Sequence, residues 1–150
     1  MRVRTSGAWK EVSSGRVRVA GAWKNLVRVR AYIGGAWKDV ASFTQPYTAL
    51  TVTPETIDRL GEVGTTVTTQ SATGTPTGGR SPFTYAWTRV SGDTGFTIVS
   101  PTSATTTFRR FVNDEVTYTA VFRCTATDAD GVSQNDTVTV EIQGFVLSPG

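Results

Sequence analysis

The sequence predicts an all-β protein in which a module of three β-hairpins precedes a β-sandwich. The tetrapeptide Gly-Ala-Trp-Lys occurs three times, at 7–10, 21–24 and 35–38, with a spacing of 14 residues. That period is too short for a helical solenoid repeat and suits one β-hairpin. Short alternating segments with turn signals between them then recur over residues 47–143, as a sandwich requires. We therefore divide the chain into 1–43, a linker at 44–46, the sandwich at 47–143 and a tail at 144–150.

Each 14-residue unit reads as a strand, a glycine turn and a second strand. In the second unit an alternating segment at 16–19 leads into Ala20-Gly21 and then into a segment at 22–26. Glycine admits the positive φ that tight hairpin turns need. A two-residue turn places Trp23 opposite Arg18, whereas a three-residue turn places it opposite Val19. A slip of one residue reverses every side chain, and the sequence does not choose between the two registers.

Charge is distributed unevenly along the chain. Residues 1–43 carry nine Lys and Arg against two acidic residues, a net charge of +7. The remainder carries six Arg against ten acidic residues, a net charge of −4. A basic module of this kind commonly meets an acidic partner, although a solvated sheet face explains the same residues. Because some forty residues without a disulfide rarely fold alone, we expect the hairpins to pool their side chains or to pair with neighbouring subunits.

The repeated aromatic and basic residues of the module are the candidate interaction residues. A tryptophan that recurs at hairpin spacing is typical of packing, with exposed platforms for sugars or bases as the alternative. We do not expect nucleic acid to be the partner, because the repeat alone explains the spacing. The candidates are Trp9, Trp23, Trp37, Arg4, Arg18, Arg28, Arg30, Lys10, Lys24 and Lys38.

The repeats resemble a known type of viral sequence. Units of the form V-x-V-x-G-A-W-K-x-V are similar to short repeats in tail-associated and appendage proteins of tailed bacteriophages. The second unit matches with Val17, Val19 and the run Gly21–Lys24, while the first has Thr5 for Val19 and the third has Ala31 for Val17. The resemblance implies a structural part of a virion and does not say which part.

In the second region we expect seven strands with clearly separated faces. On the sixth strand the inward residues are Tyr118, Ala120, Phe122, Cys124 and Ala126, and threonines dominate the other face. Phe83, Tyr85 and Trp87 share one side of the third strand, and Val138, Val140 and Ile142 point inward on the last. The expected strands are Thr48–Thr53, Thr65–Thr69, Phe83–Val90, Phe96–Ser100, Thr105–Phe111, Val116–Thr127 and Thr137–Ile142.

These faces resemble those of an immunoglobulin-like domain, including the variants found in bacterial and phage surface proteins. Trp87 takes the place of the central-strand tryptophan and Cys124 that of the second cysteine. The second expected strand offers Val67 and Thr69 but no cysteine, and Phe122 stands where a tyrosine corner has Tyr. The resemblance implies a domain held together by apolar packing, and a fold of this kind implies little about activity.

Three further segments have alternative interpretations. Residues 70–81 are rich in Gly, Thr and Ser and read as a long mobile loop, which is suited to ligand binding or is a tolerated insertion. Asp128-Ala129-Asp130-Gly131 reads as a hairpin turn; with Asp136 it also offers oxygen ligands for Ca²⁺, although the spacing does not fit an EF-hand loop. Phe145, Val146 and Leu147 in the tail suggest docking onto a neighbour.

The sequence lacks the side chains of most catalytic sites. It contains no histidine and one cysteine, so Ser–His and Cys–His pairs and an intrachain disulfide are excluded. We expect no catalytic residues, no cofactor and no metal, and we expect Cys124 to be an inert core thiol. The N-terminus has no apolar signal segment, and no run reaches the roughly 18 apolar residues of a membrane span.

These observations together predict a non-enzymatic structural component of a phage virion, made in the host cytoplasm. In this interpretation the hairpin module attaches to other virion proteins, in a homo-oligomer or in several copies per particle. The immunoglobulin-like domain projects outward or braces a neighbour. Attachment to the tail is preferred over capsid decoration because of the repeat resemblance. The alternative is a module that binds host-surface glycans through exposed tryptophans or the 70–81 loop.

Overall fold

The computed structural model describes residues 2–5, 8–11, 16–19, 22–25, 28–33, 35–42 and 46–147, and the side-chain contacts given below are those of 46–147. Every regular element in these ranges is a β-strand, which confirms the all-β prediction. The chain divides into two compact units, Met1–Gln45 and Pro46–Gly150. Residues 44 and 45 of the expected linker lie outside the described ranges, as do 148–150 of the expected tail.

The strands of the first unit pair as three antiparallel hairpins, as predicted. They are β1 (Arg2–Thr5) with β2 (Ala8–Glu11), β3 (Arg16–Val19) with β4 (Ala22–Asn25), and β5 (Arg28–Ile33) with β6 (Ala36–Ser42). Two residues separate the strands of each hairpin. In the third hairpin the second of these is Gly35, whose φ of 79° is accessible because glycine lacks a Cβ. The strands of all three units are therefore paired in the register of a two-residue connection.

The second unit is a sandwich of three sheets. One sheet has four strands in the order β11-β15-β16-β8, and it faces two three-stranded sheets in the orders β13-β10-β7 and β12-β14-β9. All pairs are antiparallel except β16 with β8, which is parallel. The strands are β7 (Ala49–Thr53), β8 (Thr56–Glu62), β9 (Thr66–Thr68), β10 (Ala72–Thr77), β11 (Thr84–Gly92), β12 (Phe96–Ile98), β13 (Thr105–Thr106), β14 (Phe108–Phe111), β15 (Thr117–Thr127) and β16 (Ser133–Phe145).

The core lies where the sequence pattern places it. Every second residue of β15 is buried, and the intervening residues are exposed or half-buried. The same alternation buries four residues of β16, whereas on β11 only Trp87 is buried. Aromatic rings join the two layers, since Phe122 of β15 stacks on Phe108 of β14 with ring centroids 4.1 Å apart. The buried residues confirmed from the predicted faces are Trp87, Tyr118, Ala120, Phe122, Cys124, Ala126, Val138, Val140 and Ile142.

Two strands of the sandwich were not predicted. The 70–81 segment is not one long loop, because Ala72–Thr77 forms β10 between β7 and β13. Gly74 and Pro76 have low β propensity, so the local sequence does not predict this strand. Pro76 is tolerated because β13 pairs only with Ala72 and Thr73, so no strand needs a donor from it on that side. The other missed strand is β8, whose burial pattern contains only Ile57 and Gly61 and therefore lacks a clear alternation.

Other boundaries also differ from the predictions. The expected strand Thr105–Phe111 is split at Thr107 into β13, which pairs with β10, and β14, which pairs with β9 and β12. The last strand runs over Ser133–Phe145 and so includes the first two residues of the expected tail. It extends this far because β8 supplies a parallel partner for residues 139–145.

A tyrosine corner is present at Tyr118 rather than at the position of Phe122. The Tyr118 hydroxyl accepts hydrogen bonds from the backbone N–H groups of Asn113 (3.1 Å) and Asp114 (2.9 Å), just before β15 begins. Phe122, four residues further along β15, is fully buried in the core. The tyrosine therefore fixes the crossing from β14 to β15, four residues earlier than the sequence comparison indicated.

Gly74 of β10 occupies the place opposite Cys124. A Cβ added to Gly74 lies 2.8 Å from Sγ of Cys124 and 3.8 Å from its Cβ. The partner position of the cysteine is thus on β10, and Val67 and Thr69, in and beside β9, do not hold it. The two layers approach closely here because the facing residue has no side chain.

Gly74→Cys tests this cross-layer contact. The Cβ–Cβ distance of 3.8 Å matches that of disulfides, so we expect the variant to form a 74–124 disulfide on oxidation. Chain-entropy reasoning sets an upper limit of about 4 kcal/mol on the stabilisation. Thiol titration and urea unfolding measure the bond and its effect. Gly74→Ser is the control, and it should destabilise the domain by about 1–3 kcal/mol because its side chain meets Sγ without a bond. A variant that keeps two free thiols after oxidation contradicts this placement.

Tyr118→Phe tests the tyrosine corner. The substitution keeps the ring and removes the acceptor of two backbone N–H groups, so the free energy of unfolding should fall by about 1–2 kcal/mol. Tyr85→Phe is the matched control, since the Tyr85 side chain makes no hydrogen bond among the described contacts and should change stability by less than about 0.5 kcal/mol. Chemical denaturation gives both values. Equal effects of the two substitutions are the contrary result.

Candidate interaction surfaces

The hairpin register resolves the alternative that the sequence left open. In the second unit the Cα partners are Arg18 with Trp23 and Val17 with Lys24, as the two-residue turn requires. The first unit repeats this register with Arg4 opposite Trp9. Paired positions share a face of an antiparallel sheet, so the tryptophan position lies with arginine positions rather than with the valines.

The third hairpin varies this arrangement. Tyr32 is the partner of Trp37 and Arg30 that of Asp39, while Ala31 pairs with Lys38. A register shift between Val29 and Arg30 then places Arg28 opposite Ser42. All ten candidate residues therefore lie on described strands, and the three tryptophan positions occupy equivalent places. Their role in binding stays a prediction.

A buried arginine stabilises one side of the sandwich. Arg110 of β14 lies over the ring of Tyr118, with its guanidinium carbon 3.7 Å from the ring centroid, and its Nη1 atom is 3.0 Å from Oδ1 of Asp93. A Cβ on Gly95 would collide with the same guanidinium. The Tyr118 ring and the Asp93 carboxylate hold this cation in place, and Gly95 leaves room for it. We therefore interpret Arg110 as a structural residue. No sequence signal pointed to it, since Arg110 sits in an ordinary alternating strand.

The turn between β15 and β16 is built around Asp128. Its side chain accepts hydrogen bonds from the backbone N–H groups of Arg80 (3.1 Å), Asp130 (2.9 Å) and Val132 (2.9 Å). Partial burial alone would raise the pKa of this carboxyl, but the three donors and the Arg80 charge hold the pKa below its usual value. Gly131 has a φ of 82°, and the predicted hairpin turn is confirmed.

The alternative of a calcium site at this turn finds no supporting geometry. Asp136 accepts hydrogen bonds from the backbone N–H groups of Val52 and Thr137, both at 2.8 Å, so it anchors β7 to β16. The oxygens of Asp128 and Asp136 are thus engaged by different parts of the backbone. Within residues whose placement is described, no group of three or more acidic or cysteine side chains is arranged to hold a metal ion.

Cys124 is a core thiol, as predicted. It is fully buried, and burial, followed by the charge of Asp136, raises the pKa of the thiol to about 11. A thiol with this pKa is almost entirely protonated at neutral pH and is a poor nucleophile.

The described part of the chain contains no helix that is long and apolar enough to span a bilayer.

A groove lies on the outer surface of the sandwich, at the end where β8 and β16 finish. Its volume is about 260 Å³, and it is lined by Asp58, Arg59, Leu60, Thr117, Glu141 and Gln143. The expected binding loop at 70–81 does not take part, because it contributes β10 to the opposite layer. The glycan alternative named either this loop or exposed tryptophans, and glycan binding stays a prediction.

Comparisons with known proteins define the class of the sandwich. The K319L-like PKD domain family matches residues 62–142, which are more than half of the chain. No curated protein sequence matches significantly. The PapD-like domain 7 of human CEP192 superposes with a TM-score of 0.58 at 10% identity, over 73% of this chain and 94% of that one.

Two further structures share less of the geometry. The PKD domain from the KIAA 1837 protein has a TM-score of 0.38 at 16% identity, with 73% of this chain and 94% of that one covered. A nucleoside hydrolase-related hypothetical protein from Saccharophagus degradans has a TM-score of 0.44 at 15% identity. That match covers 66% of this chain and 26% of the other protein, so the chain spans about a quarter of it.

The sheet order, the core, the family match and the likeness to the PapD-like domain together define an immunoglobulin-like β-sandwich of the PKD type. The chain belongs to the K319L-like PKD domain family. Likenesses at such low identity show the fold and carry no activity with them.

The pKa of Asp128 gives a pH test of the turn. Because its folded pKa is lowered, the group stabilises the fold above the ordinary value of 3.8 and loses this contribution as pH falls through and below that value. Asp128→Asn should therefore be less stable than the wild type at pH 7, and the difference should shrink as the pH is lowered. Unfolding free energies across this pH range measure it, with Glu55→Gln at an exposed carboxylate as the control. A difference that does not vary with pH excludes this role for the charge.

Proposed function

We propose that the chain is a non-enzymatic structural component of a tailed-bacteriophage virion, associated with the tail and attached through its basic hairpin module. One observation carries the proposal. Among the described strands, each hairpin of the first unit pairs only within itself and so forms a separate two-stranded sheet. An isolated two-stranded hairpin is at best marginally stable in water, so three of them in sequence need a surface to complete them.

The charge of the module favours attachment over an independent role. A net charge of +7 on residues 1–43 increases the rate of encounter with an acidic surface and disfavours close packing of the hairpins on each other alone. The sandwich, in contrast, has its own core of buried side chains and needs no partner to fold. These properties fit a protein whose first unit attaches to other virion proteins and whose second unit projects outward or braces a neighbour.

The viral assignment rests on the resemblance of the repeats to those of phage tail-associated proteins. The tail is preferred over capsid decoration for the same reason, and several copies per particle are expected because virion parts are symmetric. The PKD-type sandwich is compatible with this role, since such a fold supplies a rigid spacer and no chemistry of its own.

Incorporation into particles tests the proposed function. Particles purified from lysate of the bacterial host are analysed by quantitative mass spectrometry against their major tail protein. We expect the chain in fixed stoichiometry that survives repeated purification. Arg16→Glu with Arg18→Glu should lower its incorporation roughly tenfold or more, because two attachment charges are reversed.

Arg123→Glu is the matched control, since Arg123 is exposed on the sandwich and should leave incorporation unchanged. Absence of the chain from particles contradicts the proposal. Equal incorporation of the Arg16/Arg18 variant and the wild type contradicts attachment through the module.

A further inference from the structure

The end of the sandwich that carries the groove is an unusual surface for a solvated domain. Leu60 is 64% exposed and Val116 is 49% exposed, and neither is covered by another described residue. Leu60 of β8 is the register partner of Gln143 on β16, which in turn pairs with Thr117 on β15. The leucine therefore lines the groove on its β8 side, next to the edge of β8 that no described strand pairs with.

Carboxylates surround this apolar spot. Asp58 and Glu141 line the groove itself, and Glu62 pairs with Phe145 at the end of β16. Glu115 accepts a hydrogen bond from the backbone N–H of Val146, which places it and the adjacent Asp114 at the same end. Arg59 also lines the groove and offsets one of these five negative charges. We call Asp58, Arg59, Leu60, Glu62, Asp114, Glu115, Val116 and Glu141 the acidic end.

The acidic end accounts for the negative charge of the sandwich. Five carboxylates and one arginine give it a net charge of −4, which equals the net charge of all residues after 43. Elsewhere acidic and basic groups balance, for example in the pairs Arg110 with Asp93 and Arg80 with Asp130. The chain is thus electrically divided, with +7 on its hairpin module and −4 on one end of its sandwich.

We propose that the acidic end is the docking surface for the basic hairpin module of a second copy of this chain. The module supplies the complementary charge and the tryptophans and valines that can cover an exposed leucine. The groove offers carboxylates to the basic residues of the module. The edge of β8 offers backbone hydrogen bonds to hairpins that otherwise form separate two-stranded sheets. Two acidic ends repel one another, as do two modules, so the favoured contact joins unlike parts of the two copies.

Such a contact has a definite consequence for assembly. It is heterologous, because the module of one copy meets the acidic end of another. Contacts of this type extend into rows or close into rings, and the smallest ring is a reciprocal dimer in which each module docks on the other copy. The inference goes beyond the proposed function, since it names the acceptor surface and the partner and is measured on the purified chain without particles.

Paired charge reversal provides the test. The first variant, Arg16→Glu with Arg18→Glu, carries an altered module, and the second, Asp114→Lys with Glu115→Lys, carries an altered acidic end. Sedimentation velocity follows each protein over a range of concentrations. We expect the wild type to associate at low salt and to dissociate as the salt rises to about 0.5 M, where charges are screened beyond a few ångströms.

Each charge variant alone should associate roughly tenfold or more weakly than the wild type. A mixture of the two should recover association, because the wild-type module of one variant meets the wild-type acidic end of the other. Circular dichroism and thermal unfolding check that both variants are folded.

Leu60→Asn with Val132→Asn as its control tests the apolar part of the surface without changing its charge. Both residues are exposed and apolar, but Val132 lies in the turn at the opposite end of the sandwich. We expect Leu60→Asn to weaken association and Val132→Asn to leave it unchanged. A wild type that stays monomeric at high concentration and low salt overturns the proposal. So does association that the charge variants do not weaken, or a mixture that recovers nothing.

Discussion

The aromatic contact between the two layers of the sandwich is the interaction on which the rest of that domain depends. Phe122 stacks on Phe108 with centroids 4.1 Å apart and meets Phe96 edge-on at 5.9 Å, while Trp87 meets Phe108 at 6.1 Å. Each aromatic pair adds about 0.5–1.5 kcal/mol beyond the area that it buries. This cluster joins the layers without the disulfide that many immunoglobulin-like domains have, because Gly74 faces Cys124 and leaves it without a partner.

The periphery of the domain is organised around that core by polar contacts to the backbone. Tyr118 fixes the crossing into β15, Asp128 closes the turn out of it, and Asp136 joins β7 to β16. Each of these side chains accepts hydrogen bonds from backbone N–H groups that no strand satisfies. The polar contacts that close the domain therefore lie within it, and in the assembly that we propose the acidic end and the hairpin module make the contacts between copies.

The sequence was informative where a regular period reported burial directly. The alternation of residues 118–126 predicted the core of β15, and the 14-residue repeat predicted three hairpins, because in both cases the period comes from backbone geometry. Prediction from the sequence failed where pairing with distant segments decides which residues form strands. Gly74 and Pro76 disfavour a strand locally, yet β10 forms because β7 supplies its partner, and the parallel pairing of β8 has no local signal. The acidic end was missed because its residues come from three separate segments of the chain.

Hydrogen–deuterium exchange of the full chain at low and high protein concentration tests most directly whether the hairpins are completed by a partner. If they are, amides of β1–β6 exchange rapidly in the dilute chain and become roughly tenfold or more protected when it associates. Amides of β15 and β16 are then equally protected in both conditions. Hairpin amides that are as protected in the dilute monomer as those of β15 would contradict the central claim that this module depends on another surface.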